Sequence, residues 1–124
     1  MKKTYRIKLD FDAAHFLRDY DGPCANMHGH TWKVEFYISV PTTLDKVGIG
    51  IDFKALKESL KMVLPDHKNL NELYAFDKAN PTAENIVEWL FYQVDRFAWI
   101  REGVQVEKVV LWETEKNGIE ASRS

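Results

Sequence analysis

A single cysteine, Cys24, excludes any internal disulfide, so the fold must be held by packing or by association. Long apolar runs are missing as well. No stretch approaches the ~20 apolar residues of a membrane span, and the opening Met1-Lys2-Lys3-Thr4-Tyr5-Arg6-Ile7-Lys8 alternates instead of forming a signal core. Neither sign of charge dominates: 17 Lys and Arg stand against 19 Asp and Glu, a formal net of −2 with no basic block. That argues against a nucleic-acid binder, which would need a basic face. A lone thiol suits a reducing compartment, and a soluble cytoplasmic protein is expected. What is present is 45% apolar content in 124 residues, enough for one compact core, so residues 1–124 are expected to form a single domain with no linker.

Tyr5, Ile7, Leu9 and Phe11 alternate with Arg6, Lys8 and Asp10, the two-residue period of a half-buried strand. The period returns at Trp32, Val34, Phe36 and Ile38, with Pro41 closing the segment. Between Phe53 and Leu64 the spacing becomes helical, through Phe53, Leu56, Leu60, Val63 and Leu64, with Asp52 placed to cap the first turn and Pro65 to end the helix. A second helix is expected from an N-cap at Thr82 to about Trp99, burying Ile86, Leu90, Val94 and Phe97. Val104 to Thr114 reads as a strand, and Asn117-Gly118 as the turn of a hairpin. The expected fold is α+β, an antiparallel four-stranded sheet with two helices on one face, in the order β-β-α-α-β-β. The polar connection from about Arg18 to Met27 is longer than the ~2 to 5 residues of a plain hairpin, and long loops in small domains usually carry function.

His28 and His30 lie two apart, so in extended chain their rings project to one face. His15 shares parity with Leu9, Phe11 and Ala13, so pairing of the first two strands would bring three imidazoles together. Imidazole nitrogen suits zinc, and three protein ligands leave a position for water or substrate. The plainer alternative is three unrelated histidines that pack or face solvent. Cys24, four residues before His28 in a turn-rich loop, is a candidate nucleophile or base. It could equally be an inert small residue, or the fourth ligand of a closed structural zinc site. Asp66 beside His67 could orient and charge the imidazole as a proton shuttle, or form an ordinary solvated turn. Glu113 shares parity with Val109 and Leu111, and an inward carboxylate would suit a ligand presenting two adjacent N–H donors; a frayed strand end is the alternative.

The segments Phe11-Asp12-Ala13-Ala14-His15, Cys24-Ala25-Asn26-Met27-His28-Gly29-His30, Asp66-His67-Lys68-Asn69-Leu70-Asn71, Pro81-Thr82-Ala83-Glu84-Asn85 and Trp112-Glu113-Thr114 together resemble the 6-pyruvoyl-tetrahydropterin synthase family, in order and across nearly the whole chain. The resemblance implies that His15, His28 and His30 bind Zn2+, that Cys24 is the catalytic thiol, and that Asp66 and His67 relay a proton. Glu113 would anchor a pterin ring, with Thr82 and Glu84 lining the same pocket. It further implies a tunnelling fold and a homo-oligomer, usually a hexamer of two trimers, with active sites between subunits. The implied substrate is 7,8-dihydroneopterin triphosphate. The spacing Cys-x-x-x-His-Gly-His favours the branch that makes 6-carboxy-5,6,7,8-tetrahydropterin, acetaldehyde and triphosphate for queuosine biosynthesis, ahead of the branch that makes a 6-pyruvoyl product. A non-catalytic, zinc-stabilised binding module is the alternative from another class. The connection from His15 to Cys24 is short for the family, and Pro65 stands where leucine is usual.

Overall fold

The computed structural model describes residues 1–40, 45–96 and 103–123. Two long strands, β1 (Thr4–His15) and β2 (His28–Ser39), are followed by α1 (Phe53–Lys61), a two-residue strand β3 (Lys68–Asn69), α2 (Ala83–Asp95), β4 (Gln105–Trp112) and β5 (Gly118–Ser122). The sheet runs β3-β1-β2-β4-β5. β1, β2, β4 and β5 pair antiparallel in sequence order, as expected, but β3 lies parallel to β1 through Ala13↔Lys68 and Ala14↔Asn69. The sheet is therefore five-stranded and mixed, and the order is β-β-α-β-α-β-β. Two residues carry no period, so β3 leaves no trace in the hydrophobic pattern. It is held by the neighbouring backbone, where the His67 N–H donates to the Asp12 carbonyl at 2.6 Å.

Alternation in β1 and β2 has the expected result: Ile7, Leu9, Phe11, Trp32, Val34, Phe36 and Ile38 are buried, while Arg6, Lys8, Asp10, Thr31 and Lys33 are exposed on the other face. Phe11 stands opposite Trp32 and their rings stack at 6.1 Å. In β4 the buried positions Val106 and Val109 are three apart, because the register with β2 shifts between Tyr37 and Ile38. That bulge leaves Glu107 without a pairing residue on β2, and the Ser39 hydroxyl donates to it at 2.7 Å. Beyond the bulge Val109 and Leu111 enter the core cluster two apart, while Val110 between them is buried outside that cluster.

Both helices contribute to the same hydrophobic cluster as the buried face of the sheet: Leu56 and Leu60 from α1, and Ile86, Val87, Leu90, Phe91 and Val94 from α2. Several expectations need correction. Phe53 opens α1 but is 62% exposed, resting against Tyr5 at a ring distance of 5.0 Å. Asp52 occupies the N-cap without a side-chain cap bond. α1 ends at Lys61, not Leu64, because Met62, Val63 and Leu64 donate to carbonyls three residues back, tightening the exit toward Pro65. The β4–β5 hairpin does not turn on Asn117-Gly118. Trp112 pairs with Gly118, and residues 113–117 form the loop, closed by the Glu113 N–H on the Asn117 carbonyl and by Thr114 Oγ1 accepting from Lys116 and Asn117. Glycine is needed at 118 because a Cβ there would lie 2.5 Å from the Trp112 ring. The expected end of the second helix, Phe97 to Trp99, lies outside the described residues. Among the described residues, no helix is long and apolar enough to cross a membrane.

Candidate metal centre and the surrounding site

The pairing of β1 with β2 places His15 opposite His28 and Ala13 opposite His30, so the parity argument becomes a cluster. The three ring centroids are 4.5, 4.8 and 5.2 Å apart, and one ring nitrogen from each histidine lies within 4.8 Å of the others. Trp32, fully buried, forms the floor: its ring meets His15 and His30 edge-on at 5.1 and 5.2 Å, and its indole N–H donates to the Ala13 carbonyl.

The orientation of the rings is set by backbone. His15 Nδ1 lies 2.7 Å from the Pro81 carbonyl, and His28 Nδ1 lies 2.7 Å from the Asn26 carbonyl. A carbonyl only accepts, so both Nδ1 atoms carry the proton and both Nε2 atoms keep a lone pair. The Nε2 atoms of His15 and His30 are buried with no hydrogen-bond partner. Buried polar atoms without partners are rare in folded proteins, and two aimed at one point fit a cation bound there.

The electrostatics agree with neutral ligands. Burial holds His15 below its ordinary 6.5, reinforced by His28 and His30 and opposed by the Pro81 carbonyl and Glu113. His30 is lowered chiefly by burial and by His28, against the pull of Glu113. Both folded values lie below the unfolded one, so protons favour the unfolded chain. This contribution to stability is complete above about pH 6.5 and is lost as pH falls below it. Metal-free protein should therefore unfold at lower urea at pH 5.5 than at pH 7.5, before the carboxylates titrate. An unchanged midpoint would show that the two rings are not desolvated.

The strand expected to reach Thr114 ends at Trp112, so Glu113 lies just beyond β4, and its Oε1 is 3.7 Å from His30 Nε2. Cys24 sits half-buried in a 3-10 turn (Pro23–Ala25), its carbonyl accepting from the Leu17 N–H at 2.8 Å. It is not among the residues whose ligand atoms cluster with the three histidines. Thr82 caps α2, accepting from the Asn85 N–H at 3.2 Å, and Glu84 is exposed in the first turn.

The structure does not bring Asp66 and His67 into the histidine cluster of the same chain. They form a second group with Asp12, and His67 Nε2 is 3.5 Å from Asp66 Oδ2. His67 has a left-handed backbone (φ 57°), a conformation costing a non-glycine residue about 1–2 kcal/mol. β1 holds it there: besides the His67 N–H bond, the Asp12 N–H donates to Asp66 Oδ1 at 2.8 Å. His67 borders a groove of about 580 Å³ whose lining includes Asp12, Ala14, Gly29 and Thr31, residues with the parity of the exposed face of the sheet. Sequence reasoning missed the carbonyls of Asn26 and Pro81 and the Trp32 floor. Of these only Trp32 carried a signal, its parity with His28 and His30.

Comparison with known proteins covers the whole of this architecture. Residues 4–124 match the family model described as 6-pyruvoyl tetrahydropterin synthase. The 6-carboxy-5,6,7,8-tetrahydropterin synthase of Synechocystis sp. is 31% identical, with 71% of each chain covered. The protein of the same name from Rickettsia typhi is 30% identical over 91% of this chain and 95% of its own. Among solved structures, the 6-pyruvoyl tetrahydropterin synthase of Caenorhabditis elegans superimposes with a TM-score of 0.84 at 25% identity, covering 100% of this chain and 97% of that one.

Proposed function

Because the chain belongs to the 6-pyruvoyl tetrahydropterin synthase family, we propose that it is a zinc-dependent carbon–carbon lyase of the 6-carboxytetrahydropterin type. Its substrate would be 7,8-dihydroneopterin triphosphate, converted with one water into 6-carboxy-5,6,7,8-tetrahydropterin, acetaldehyde and triphosphate, on the route to queuosine. The observation that carries this reading is the convergence of three histidines with two orphaned, buried Nε2 atoms.

His15, His28 and His30 would hold the zinc, which when bound would supply Lewis-acid polarisation of the hydroxyl oxygens on the substrate side chain. Cys24 would take a proton from a side-chain carbon, its loop tied to the segment that follows His15. Glu113 would accept two N–H groups from the edge of the pterin ring, placing the ring beside His30, and Thr82 and Glu84 would line the pocket from the start of α2.

Asp66 and His67, exposed and grouped apart from the histidines, would return a proton to a site on a second copy of the chain. Two features support association of residues 1–124 as a single-domain subunit of a homo-oligomer, a hexamer by family analogy. β3 pairs with β1 only at Ala13 and Ala14, and Asp12 is held by Asp66 and His67, so among the described residues the outer edge of β1 has no strand partner from Thr4 to Asp10, and β5 forms the opposite edge. The face of charged residues opposite the core is the other feature. No role for nucleic acid or membrane enters this reading.

The likeness to the nematode structure favours one second reading, a 6-pyruvoyl product from the same substrate. Zinc-loaded protein incubated with 7,8-dihydroneopterin triphosphate should release acetaldehyde and give a pterin with the mass of the 6-carboxy compound. A pterin of 6-pyruvoyl mass without acetaldehyde selects the second reading, and no turnover with full zinc loading overturns both.

A further inference from the structure

Four consecutive residues leaving β1 are each held by a different partner. His15 lies on the Pro81 carbonyl at 2.7 Å. The Phe16 N–H donates to Asn71 Oδ1 at 2.9 Å and its carbonyl accepts from Asn71 Nδ2 at 3.0 Å. The Leu17 N–H donates to the Cys24 carbonyl at 2.8 Å. The Arg18 N–H donates to Asn80 Oδ1 at 2.8 Å, and its carbonyl accepts from Asn80 Nδ2 at 2.9 Å.

This is the alternation of an extended chain, with residues 16 and 18 facing one edge and residue 17 the other. A side-chain amide offers one acceptor and a donor group side by side, so Asn71 and Asn80 stand in for a neighbouring strand. The loop that carries Cys24 occupies the opposite edge. Asn80 is itself anchored, since its carbonyl accepts from Asn85 Nδ2 at 2.8 Å while the Asn85 N–H is capped by Thr82. A continuous path thus runs from the first turn of α2 through Asn80, Arg18 and Leu17 to Cys24. Pro81, the next residue along, holds His15.

We propose that Asn80 is a positioning residue, setting where the Cys24 thiol stands relative to the histidine cluster by clamping Arg18 and hence Leu17. Its effect on rate rests on the lyase reading; its effect on the loop does not. A displacement of about 1 Å in a reacting group can cost on the order of a hundredfold in rate.

Cys24 is the only cysteine, so alkylation by iodoacetamide reads the loop without background. Zinc-loaded Asn80→Ala should alkylate at least about threefold faster than wild type. Its kcat for acetaldehyde release should fall roughly ten- to a hundredfold, with KM within about threefold and zinc content unchanged. Asn80→Asp keeps an acceptor for the Arg18 N–H but sets a carboxylate against the Arg18 carbonyl. It should move both readouts the same way, and it serves if the alanine variant does not fold.

Wild-type alkylation in a folded variant overturns the proposal, whatever the rate. Loss of zinc also overturns it, because Asn80 would then support the metal site through Pro81 and not the thiol. A rise in KM beyond threefold with kcat intact would overturn it in favour of a role in substrate binding. If wild type itself releases no acetaldehyde, the lyase reading fails while the alkylation comparison still decides the clamp.

Discussion

Cys24→Ala is expected to retain its fold and its full zinc content while losing acetaldehyde release by at least about a hundredfold, the usual scale for removing a positioned acid–base group. The expectation rests on three features of the site. The thiol is half-buried, so removing its sulfur costs little packing. The contact that ties the loop to Leu17 is made by the Cys24 backbone carbonyl, which alanine also has. The sulfur is also outside the group of ligand atoms formed by the three histidines, so the metal loses no donor. Zinc analysis beside an acetaldehyde assay decides the matter. A variant that loses zinc and unfolds would make Cys24 a fourth ligand and turn the site into a structural one.

His28→Ala should show the opposite pattern. Two imidazoles would remain where three converged, and the loss in zinc affinity should exceed the roughly 10- to 100-fold that follows from removing a supporting hydrogen bond. His28 is the histidine to choose because it is only half-buried, at the start of β2, whereas His15 is 3% exposed and its removal would also leave the Pro81 carbonyl without its donor. Zinc at a thousandfold excess over its dissociation constant should stabilise wild type by about 4 kcal/mol. The variant should show little of that stabilisation, and its activity should be lost with the metal. Wild-type zinc content in purified His28→Ala would remove this residue from the ligand set.

The parts of the molecule that were legible in the chain are those where a period of two runs unbroken. From Tyr5 to His15 and from His28 to Ile38 each residue's face follows from its neighbours, and that alone put His15 beside His28 and His30. Glu113 was legible for a subtler reason. The bulge in β4 falls upstream of Val109, so the parity counted from Val109 through Leu111 to Glu113 was undisturbed, although the strand itself stops at Trp112. Counting from Val106 would have pointed the carboxylate the wrong way.

What escaped is of two kinds. β3 and the hairpin loop are decided by hydrogen bonds between distant backbone segments and by a close approach of Trp112 to Gly118, neither of which has a periodic signature. Phe53 looked like a core residue because its spacing to Leu56 and Leu60 is helical, but at the first position of the helix it rests on the half-buried Tyr5 ring and stays exposed instead of entering the core. Nothing was assigned from the sequence to the side chains of Asn71 and Asn80, since the backbone they bond to is brought beside them only in three dimensions.

Both Nδ1 atoms for which the structure gives a partner rest on main-chain oxygens. Every amino acid carries that oxygen, so no single substitution at position 26 or 81 deletes the group that orients the ring; the outer layer of the centre can be altered only by moving the chain itself. A carbonyl also brings no formal charge, unlike the carboxylate that often fills this place around metal-binding histidines. The centre would then keep the full electron-withdrawing power of its ion, with Glu113 the one anionic side chain paired with a cluster histidine among the described residues. Drift among descendants of this sequence should accordingly leave the centre's electronic character untouched while the loops that deliver the two carbonyls change.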